Sequence, residues 1–191
     1  GSIFGTFGTM KKITQVTETD AEKKGGKEVP QICADIVFDH VDFAYNEERE
    51  ILKDISVRIP MGKVTAIIGG NGAGKSTVFK LLTRLYEPTS GKIEFHEDNI
   101  ADYNVTQWRD RFAYVFQKNP LVSGTVRENL TYGLDREVSD EELIEVTKKA
   151  NCYDCIMSKP EGFNEDVGLD GSNFSGGQGQ CISIARAMLR D

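Results

Sequence analysis

The sequence predicts an α/β fold, and two patterns of apolar residues support this. The segments 35–45 and 55–60 alternate apolar and polar residues like half-buried strands, whereas 63–69 is almost entirely apolar, like a strand covered on both faces. From Lys75 onward the apolar residues recur at the spacing of a helix. Strands mixed with crossover helices are typical of an α/β core.

The next elements are predicted from periodicity and turn residues. One apolar helix face extends over 78–85, and the Pro- and Gly-containing turn 87–91 ends that helix. Short strands are then expected at 92–95 and 111–117.

The region of about 120–175 is predicted to be a helical insert in this core. A helical segment is expected at 125–133. Ser139 and Glu142 have the spacing of a capping box, which predicts a helix over 139–150.

Composition predicts one folded domain that follows a polar tail. Residues 1–30 are polar and charged without periodicity, so they are expected to be a linker or disordered tail, with the folded domain at 31–191. The chain has 191 residues, of which 39% are hydrophobic and 28% charged, as in soluble globular proteins. A net charge of −7, with no block of Lys and Arg, argues against a nucleic-acid partner.

The cysteines do not indicate a disulfide framework, because there are only 4 in a chain of this length. Cys152 and Cys155 form a C-x-x-C pair, which could be a redox pair or half of a zinc site. Since no second pair accompanies it, we favour a structural role.

A glycine-rich loop predicts a nucleotide-phosphate site. Residues 69–76 fit the pattern G-x-x-x-x-G-K-[ST], between an apolar segment and a helix. Glycine lets backbone N–H groups surround phosphate oxygens, and the helix adds its positive end. Lys75 is expected to reach the β- and γ-phosphates, and the Ser76 hydroxyl to bind Mg²⁺. The predicted ATP-binding residues here are Gly69, Gly70, Asn71, Gly72, Ala73, Gly74, Lys75, Ser76 and Thr77.

A second glycine-containing loop, 172–181, precedes another predicted helix but contains no lysine. Ser175 can cap that helix, and Gly176 and Gly177 permit close approach of another backbone or ligand. A phosphate bound at this loop would depend on another element for most of its affinity. The alternative interpretation is an ordinary capped helix of the core with no ligand. The face expected to be buried on this helix comprises Cys181, Ile184, Ala185 and Met188.

The order of three motifs resembles the nucleotide-binding domain of an ATP-binding cassette (ABC) transporter over about residues 35–191. These motifs are the loop at 69–76, "YVFQ" at 114–117 and "SGGQ" at 175–178. The resemblance implies a P-loop NTPase core with an antiparallel β subdomain and a helical insert. It also implies head-to-tail pairing of two such domains, each covering the ATP of the other with its signature loop, Ser175, Gly176, Gly177 and Gln178.

Two further residues match positions with family roles. Tyr45 resembles the aromatic residue that stacks on adenine, the alternative being an ordinary strand aromatic. Gln117 resembles the glutamine that contacts Mg²⁺ and the attacking water and senses the transmembrane domain, the alternative being a surface glutamine.

The segments 121–133 and 165–177 resemble the exporter branch of the family, in which transmembrane helices and this domain share one polypeptide. The implied partners are a transmembrane domain and a second nucleotide-binding domain, as homodimer or heterodimer. The implied location is the cytoplasmic face of the cell membrane, with the fragment itself soluble. Four residues near the signature loop depart from the exporter pattern: Leu169, Asp170, Gly179 and Cys181.

The last residue, Asp191, stands before the segment that carries a Mg²⁺-binding aspartate and the catalytic glutamate in the resembled family. The resemblance therefore implies an incomplete domain, truncated before the Walker B strand, with its general base beyond Asp191. A non-hydrolysing ATP-binding regulatory fragment is one alternative. A soluble ABC ATPase acting on DNA is another, although no sustained heptads indicate the coiled coil that such a protein would need.

Overall fold

A computed structural model of the chain describes residues 25–46, 49–115 and 121–190. These residues form two compact units, one within 1–111 and the other within 112–191. Gln117 and most of the predicted tail lie outside the described residues.

The first unit contains an antiparallel sheet of four strands in the order β2-β1-β3-β4. Phe38, near the start of β1, pairs with Val57 on one side and with Ile93 on the other. This sheet confirms the predicted β subdomain and the strand expected at 92–95. Its strands are β1 (Ile36–Ala44), β2 (Glu50–Ile59), β3 (Ser90–Phe95) and β4 (Asp98–Asn99).

Two helices accompany this sheet, and one of them packs on it through an aromatic contact. Helix α1 spans Lys75–Leu82 and helix α2 spans Val105–Arg109, while a 3-10 turn covers Ile100–Asp102. The Trp108 ring of α2 packs on Phe95 at 5.4 Å between ring centroids, and its indole N–H donates to the Leu82 carbonyl at 2.8 Å. The apolar ring is thereby buried while its polar atom is satisfied.

The folded region begins before the expected boundary at residue 31. The backbone N–H of Lys27 donates to the Asp102 carbonyl and the Lys27 carbonyl accepts from Asn104, both at 2.8 Å. Val29 is buried, with 6% of its surface exposed. Residues 27–29 thus belong to the first unit because paired backbone groups and a buried apolar side chain hold them there.

The strands expected at 63–69 and 111–117 are not found among the described residues, so these predictions were wrong there. The segment 63–70 has no assigned strand, and Val64 and Ile68 are 101% and 91% exposed. Residues 112–115 have no strand either, and 116–117 are outside the description. A strand needs a neighbour for its ladder hydrogen bonds, and no described strand pairs with either segment.

The second unit is helical and has its own core. Leu130, Leu143, Ile156 and Ile182 are fully buried in this core, one from each helix. None of the helices in the described part of the chain is long and apolar enough to cross a membrane. The helices are α3 (Val126–Leu130), α4 (Asp140–Lys149), α5 (Tyr153–Met157) and α6 (Gly176–Met188), with 3-10 turns at Gly162–Asn164 and Leu169–Gly171.

Capping residues mark where three of these helices begin, and α3 and α4 are described first. The Ser139 hydroxyl accepts from the Glu142 N–H at 3.3 Å, as the sequence predicts. The Glu142 carboxylate does not complete the box, because it pairs with Arg136 at 2.9 Å. A full capping box instead joins Thr125 and Glu128 at the start of α3, where the sequence has the T-x-x-E spacing of this motif.

Candidate functional site

The glycine loop at 69–77 adopts a conformation that its sequence requires. Gly72 and Gly74 have φ angles of 78° and 82°, in the left-handed region that favours glycine. A Cβ on Gly74 would lie 2.6 Å from a methyl carbon of Leu52 and 3.2 Å from the Ile51 carbonyl oxygen. Glycine at position 74 therefore lets the loop lie directly against strand β2.

The loop leads into α1, whose N-terminus is left open. Gly74 is the N-cap residue, no side chain caps the helix, and its first turn contains no acidic residue. The Gly74 carbonyl accepts from the N–H groups of Thr77 and Val78 at 2.9 and 3.1 Å. The positive end of the helix dipole is thus uncompensated by side chains, which is the electrostatic condition for binding an anion.

The Lys75 side chain folds back over the loop. Its ammonium group donates to the carbonyl oxygens of Gly69 and Gly70 at 2.9 and 2.7 Å. Ser76, on the first turn of α1, is exposed. A cation and an exposed hydroxyl thus accompany the open helix end, a donor set suited to a phosphate group and a hard metal ion.

Tyr45, the predicted adenine-stacking residue, lies next to α1. The residue is 44% exposed, and its hydroxyl is 3.1 Å from the hydroxyl oxygen of Thr77 and 3.1 Å from the ammonium nitrogen of Lys80. Partial burial raises the pKa of the phenol, but the hydrogen bonds with Thr77 and Lys80 and the charge of Lys80 outweigh this and lower it. The structure therefore brings Tyr45 and the predicted phosphate residue Thr77 together.

The signature loop at 175–178 forms the N-terminus of α6. The Ser175 hydroxyl accepts from the Gln178 N–H, and the Gln178 side chain accepts from the Ser175 N–H, a full capping box. Added Cβ atoms on Gly176 and Gly177 would meet no atom within 4 Å. Like α1, this helix has no acidic residue in its first turn.

The buried face of α6 differs from the prediction. Ile184 and Met188 are 36% and 39% exposed, and Cys181 is only half-buried. Of the four predicted residues only Ala185 is buried, because the helix is turned so that the adjacent positions face the core. The buried residues of α6 are Gly179, Ile182, Ser183 and Ala185.

The residues that depart from the exporter pattern lie in this second unit. Leu169 is 77% exposed in a 3-10 turn, and Asp170 in the same turn has a left-handed φ of 53°. Gly179 is buried, and an added Cβ there would lie in ordinary contact with Leu121, at 3.8 Å. Glycine at 179 is thus not required by a close backbone approach within this unit.

The cysteine pair is part of the helical core. Cys152 is buried, and its carbonyl oxygen accepts from the Cys155 thiol at 3.1 Å. Burial, with smaller effects of Cys155 and Cys181, raises the pKa of Cys152 to about 12, which disfavours the reactive thiolate. Among the described residues, no group of three or more His, Cys, Asp or Glu side chains is arranged to hold a metal.

Sequence reasoning missed Lys80 as a neighbour of the predicted nucleotide site. It follows Thr77 by one helical turn, so the two side chains share a face of α1. The i, i+3 spacing of Thr77 and Lys80 after the glycine loop was the available signal. Lysine is common on helix surfaces, however, so this spacing alone does not indicate a site residue.

Comparison with known proteins agrees with this geometry. The profile of the family described as ABC transporter matches residues 52–191. An uncharacterized ABC transporter ATP-binding protein of Sinorhizobium fredii is 40% identical over 170 residues, which cover 89% of this chain and 29% of the relative. A multidrug resistance ABC transporter ATP-binding and permease protein of Lactococcus lactis is 41% identical over 152 residues, covering 80% of this chain and 26% of the relative.

A solved structure supports the same assignment. The structure of a bacterial Atm1-family ABC exporter with ATP bound has a TM-score of 0.87 and 32% sequence identity, and the match covers 95% of this chain and 32% of that one. The chain thus spans less than a third of the length of these proteins. With the glycine loop, the capped signature helix and the antiparallel sheet in place, the chain belongs to the ABC transporter family as an ATP-binding domain.

Proposed function

We propose that residues 69–77 bind the phosphates of Mg²⁺-ATP. The observation that carries this proposal is the uncapped N-terminus of α1, with the Lys75 ammonium group held within the loop by carbonyl oxygens. Phosphate oxygens carry more negative charge than these carbonyls and would replace them as acceptors for Lys75. The backbone N–H groups at the helix end would bind the remaining phosphate oxygens.

The Ser76 hydroxyl is the proposed protein ligand of Mg²⁺ in the first unit. Ser76 is exposed on the first turn of α1, next to the proposed phosphate site. Mg²⁺ prefers oxygen ligands and is usually held by few protein groups together with substrate phosphates. Bound there, the ion would neutralise phosphate charge, and Tyr45 would stack on the adenine.

A second nucleotide contact is proposed for the signature loop. Gly176 and Gly177 have helical backbone angles and open space around them, so neither conformation nor packing in the described residues requires glycine. Glycine is a poorer helix former than alanine, so neither residue is explained by stabilisation of α6. A close approach by a group outside the chain would explain both glycines, and the ATP of a paired domain would fit at the N-terminus of α6, where the helix dipole is positive.

In the whole protein, we propose that two such domains pair head to tail, hydrolyse ATP and drive export through a transmembrane domain. The domain would then act at the cytoplasmic face of the membrane. Support comes from two similar proteins, an ABC transporter ATP-binding and permease protein and an ABC exporter with ATP bound. The alternative is a regulatory domain that binds ATP without hydrolysing it. In that case the whole protein should bind ATP and release no phosphate.

Isothermal titration calorimetry of the 191-residue chain with Mg²⁺-ATP tests the binding site. Lys75→Ala should weaken binding about tenfold or more, because a charge-assisted hydrogen bond to phosphate is lost. Lys53→Ala on strand β2 is the matched control, since it removes the same charge from a largely exposed side chain whose ion pair is with Glu50. Equal affinities for wild type and Lys75→Ala would refute the proposed site.

A further inference from the structure

An aromatic cluster surrounds the Tyr45 ring in the first unit. Tyr45 lies 4.8 Å from Phe43 and 5.0 Å from Tyr86 between ring centroids, with the ring planes close to perpendicular in both pairs. Phe43 is buried, whereas Tyr45 and Tyr86 are each 44% exposed. Edge-to-face contacts of this kind favour one ring orientation over others.

The ammonium group of Lys80 joins this cluster. It lies 5.0 Å from the Tyr45 ring centroid and 5.5 Å from the Tyr86 centroid, within cation–π range of both rings. It also donates a hydrogen bond to the Tyr45 hydroxyl oxygen at 3.1 Å. One cation therefore contacts both exposed rings and the polar end of Tyr45.

A chain of hydrogen bonds connects Lys80 to the phosphate loop through Tyr45. A lysine ammonium group can only donate, so the Tyr45 oxygen accepts from Lys80 and keeps its own hydrogen to donate. Its second neighbour is the hydroxyl oxygen of Thr77, at 3.1 Å. Thr77 is buried, with 3% of its surface exposed, and its backbone N–H bonds to Gly74. The position of the Tyr45 hydroxyl is thereby tied to the loop that would hold the phosphates.

We propose that Lys80 is a positioning residue for the adenine site: it fixes the Tyr45 ring against Thr77 and Tyr86 so that the exposed part of the ring is ready to stack on the base. This inference rests on the proposed ATP site and adds to it a residue that acts through Tyr45. Lys80 increases affinity by reducing the ring motion that base stacking would otherwise have to restrict.

The test compares two ligands, Mg²⁺-ATP and Mg²⁺-tripolyphosphate, by calorimetry with the 191-residue chain. Tripolyphosphate has the phosphates without the base. Lys80→Met keeps most of the apolar stem and removes the charge, and it should weaken ATP binding about threefold while leaving tripolyphosphate binding unchanged. Lys80→Arg should restore the ATP affinity, because guanidinium also donates to Tyr45 and contacts both rings. Lys53→Met is the charge-matched control and should change neither affinity.

A second measurement asks whether Lys80 acts through Tyr45. In a Tyr45→Ala background, Lys80→Met should cause no further loss of ATP affinity. In the otherwise unchanged chain, Lys80→Met should raise the pKa of the Tyr45 phenol, because it removes a donor and a positive charge. NMR of tyrosine labelled at the phenolic carbon, with Tyr45→Phe for assignment, measures this pKa without any ligand.

The outcomes separate this inference from the proposed function. If wild type binds neither ligand, or Lys75→Ala changes nothing, the ATP site itself is wrong. If Lys75→Ala and Tyr45→Ala both weaken ATP binding but Lys80→Met does not, Lys80 has no positioning role. A Lys80→Met loss that is equal for ATP and tripolyphosphate, or that persists in Tyr45→Ala, would show a general charge effect and overturn the inference.

Discussion

Ser175 and Gln178 cap one another at the start of α6. The Ser175 hydroxyl oxygen accepts from the Gln178 backbone N–H at 3.3 Å, while the Gln178 side-chain oxygen accepts from the Ser175 backbone N–H at 2.9 Å. Both side chains of the signature motif that can form hydrogen bonds thus have a structural function within the chain. The two glycines between them have no such structural function within the chain. Neighbouring residues of one motif therefore have different roles.

The first prediction separates these tasks at Ser175. Ser175→Ala should lower the free energy of unfolding by about 1 kcal/mol, because a helix N-terminus loses its cap. Ser175→Asp should keep most of the stability, since aspartate is an equally good cap. Its negative charge should nevertheless weaken any contact with a partner's phosphate. Urea unfolding measures the stabilities, and an unchanged midpoint for Ser175→Ala would show that the cap contributes nothing.

The second prediction concerns the backbone of the glycine loop at 69–77, the proposed phosphate site. Gly74→Ala should lower the free energy of unfolding by about 1–2 kcal/mol, because alanine disfavours a left-handed φ. The contact of its Cβ with Leu52 would add to this cost. Gly70→Ala is the matched comparison for stability, since its Cβ would meet no atom within 4 Å. Equal unfolding midpoints for the two variants would contradict the described loop conformation.

The fold could be predicted where the signal is local. The alternation in 35–45 and 55–60 and the glycine pattern before Lys75 each identify an element from its own residues, and the structure has those elements. The apolar segment 63–69 could not be judged in this way, because the burial and pairing of a central strand depend on neighbours. Whether Val64 in this segment is buried or exposed therefore depends on which other segments pair with it.

In the candidate site, too, local signals could be predicted from the sequence and contacts between distant residues could not. The motif predicts the role of Lys75, but the contact of Lys80 with Tyr45 joins positions that are 35 residues apart and requires the fold. The buried face of α6 was misplaced because Cys181 and Ile182 are both apolar, and periodicity over a short helix does not choose between adjacent faces.

The third prediction is a pH dependence of stability at His40. The hydrogen bond and charge of Asp54, 2.5 Å from the His40 Nδ1, and the charges of Asp39 and Asp42 raise the pKa of His40. Because the folded pKa is above the unfolded one, the stabilisation is complete below the unfolded pKa and is lost as the pH rises through the folded pKa. Both side chains of the pair are largely exposed, so the effect should be small.

His40→Asn tests this dependence with little backbone strain, because asparagine tolerates the left-handed φ of 50° at this position. The difference in free energy of unfolding between wild type and His40→Asn should favour wild type at pH 5.5 and narrow by pH 8. NMR titration of the His40 ring gives the folded pKa directly. A value at or below that of an unfolded peptide would contradict the ion pair.

The last prediction asks whether the phosphate loop and the signature loop share a nucleotide across an interface. In the whole protein, Lys75→Ala should damage a chain's own proposed phosphate site. Gly176→Asp instead places a carboxylate in the open space at the start of α6, where it would face the γ-phosphate held by the partner. Each variant alone then forms pairs with two damaged composite sites.

Mixing the two variants distinguishes shared sites from separate ones. In a mixed pair, the loop with Lys75→Ala faces the signature helix with Gly176→Asp, so both lesions fall in one composite site and the other site is intact. Mixed pairs should therefore trap one slowly hydrolysed ATP analogue per pair, whereas neither variant alone should trap any. Gly176→Asp chains should still bind ATP singly, because their phosphate loop is unchanged, which controls for misfolding. If mixed pairs form, as shown by affinity tags of two kinds, yet trap no analogue, the two loops do not act on one nucleotide. Trapping by Gly176→Asp alone would exclude its helix end from contact with the partner's phosphate, since a carboxylate there would repel it.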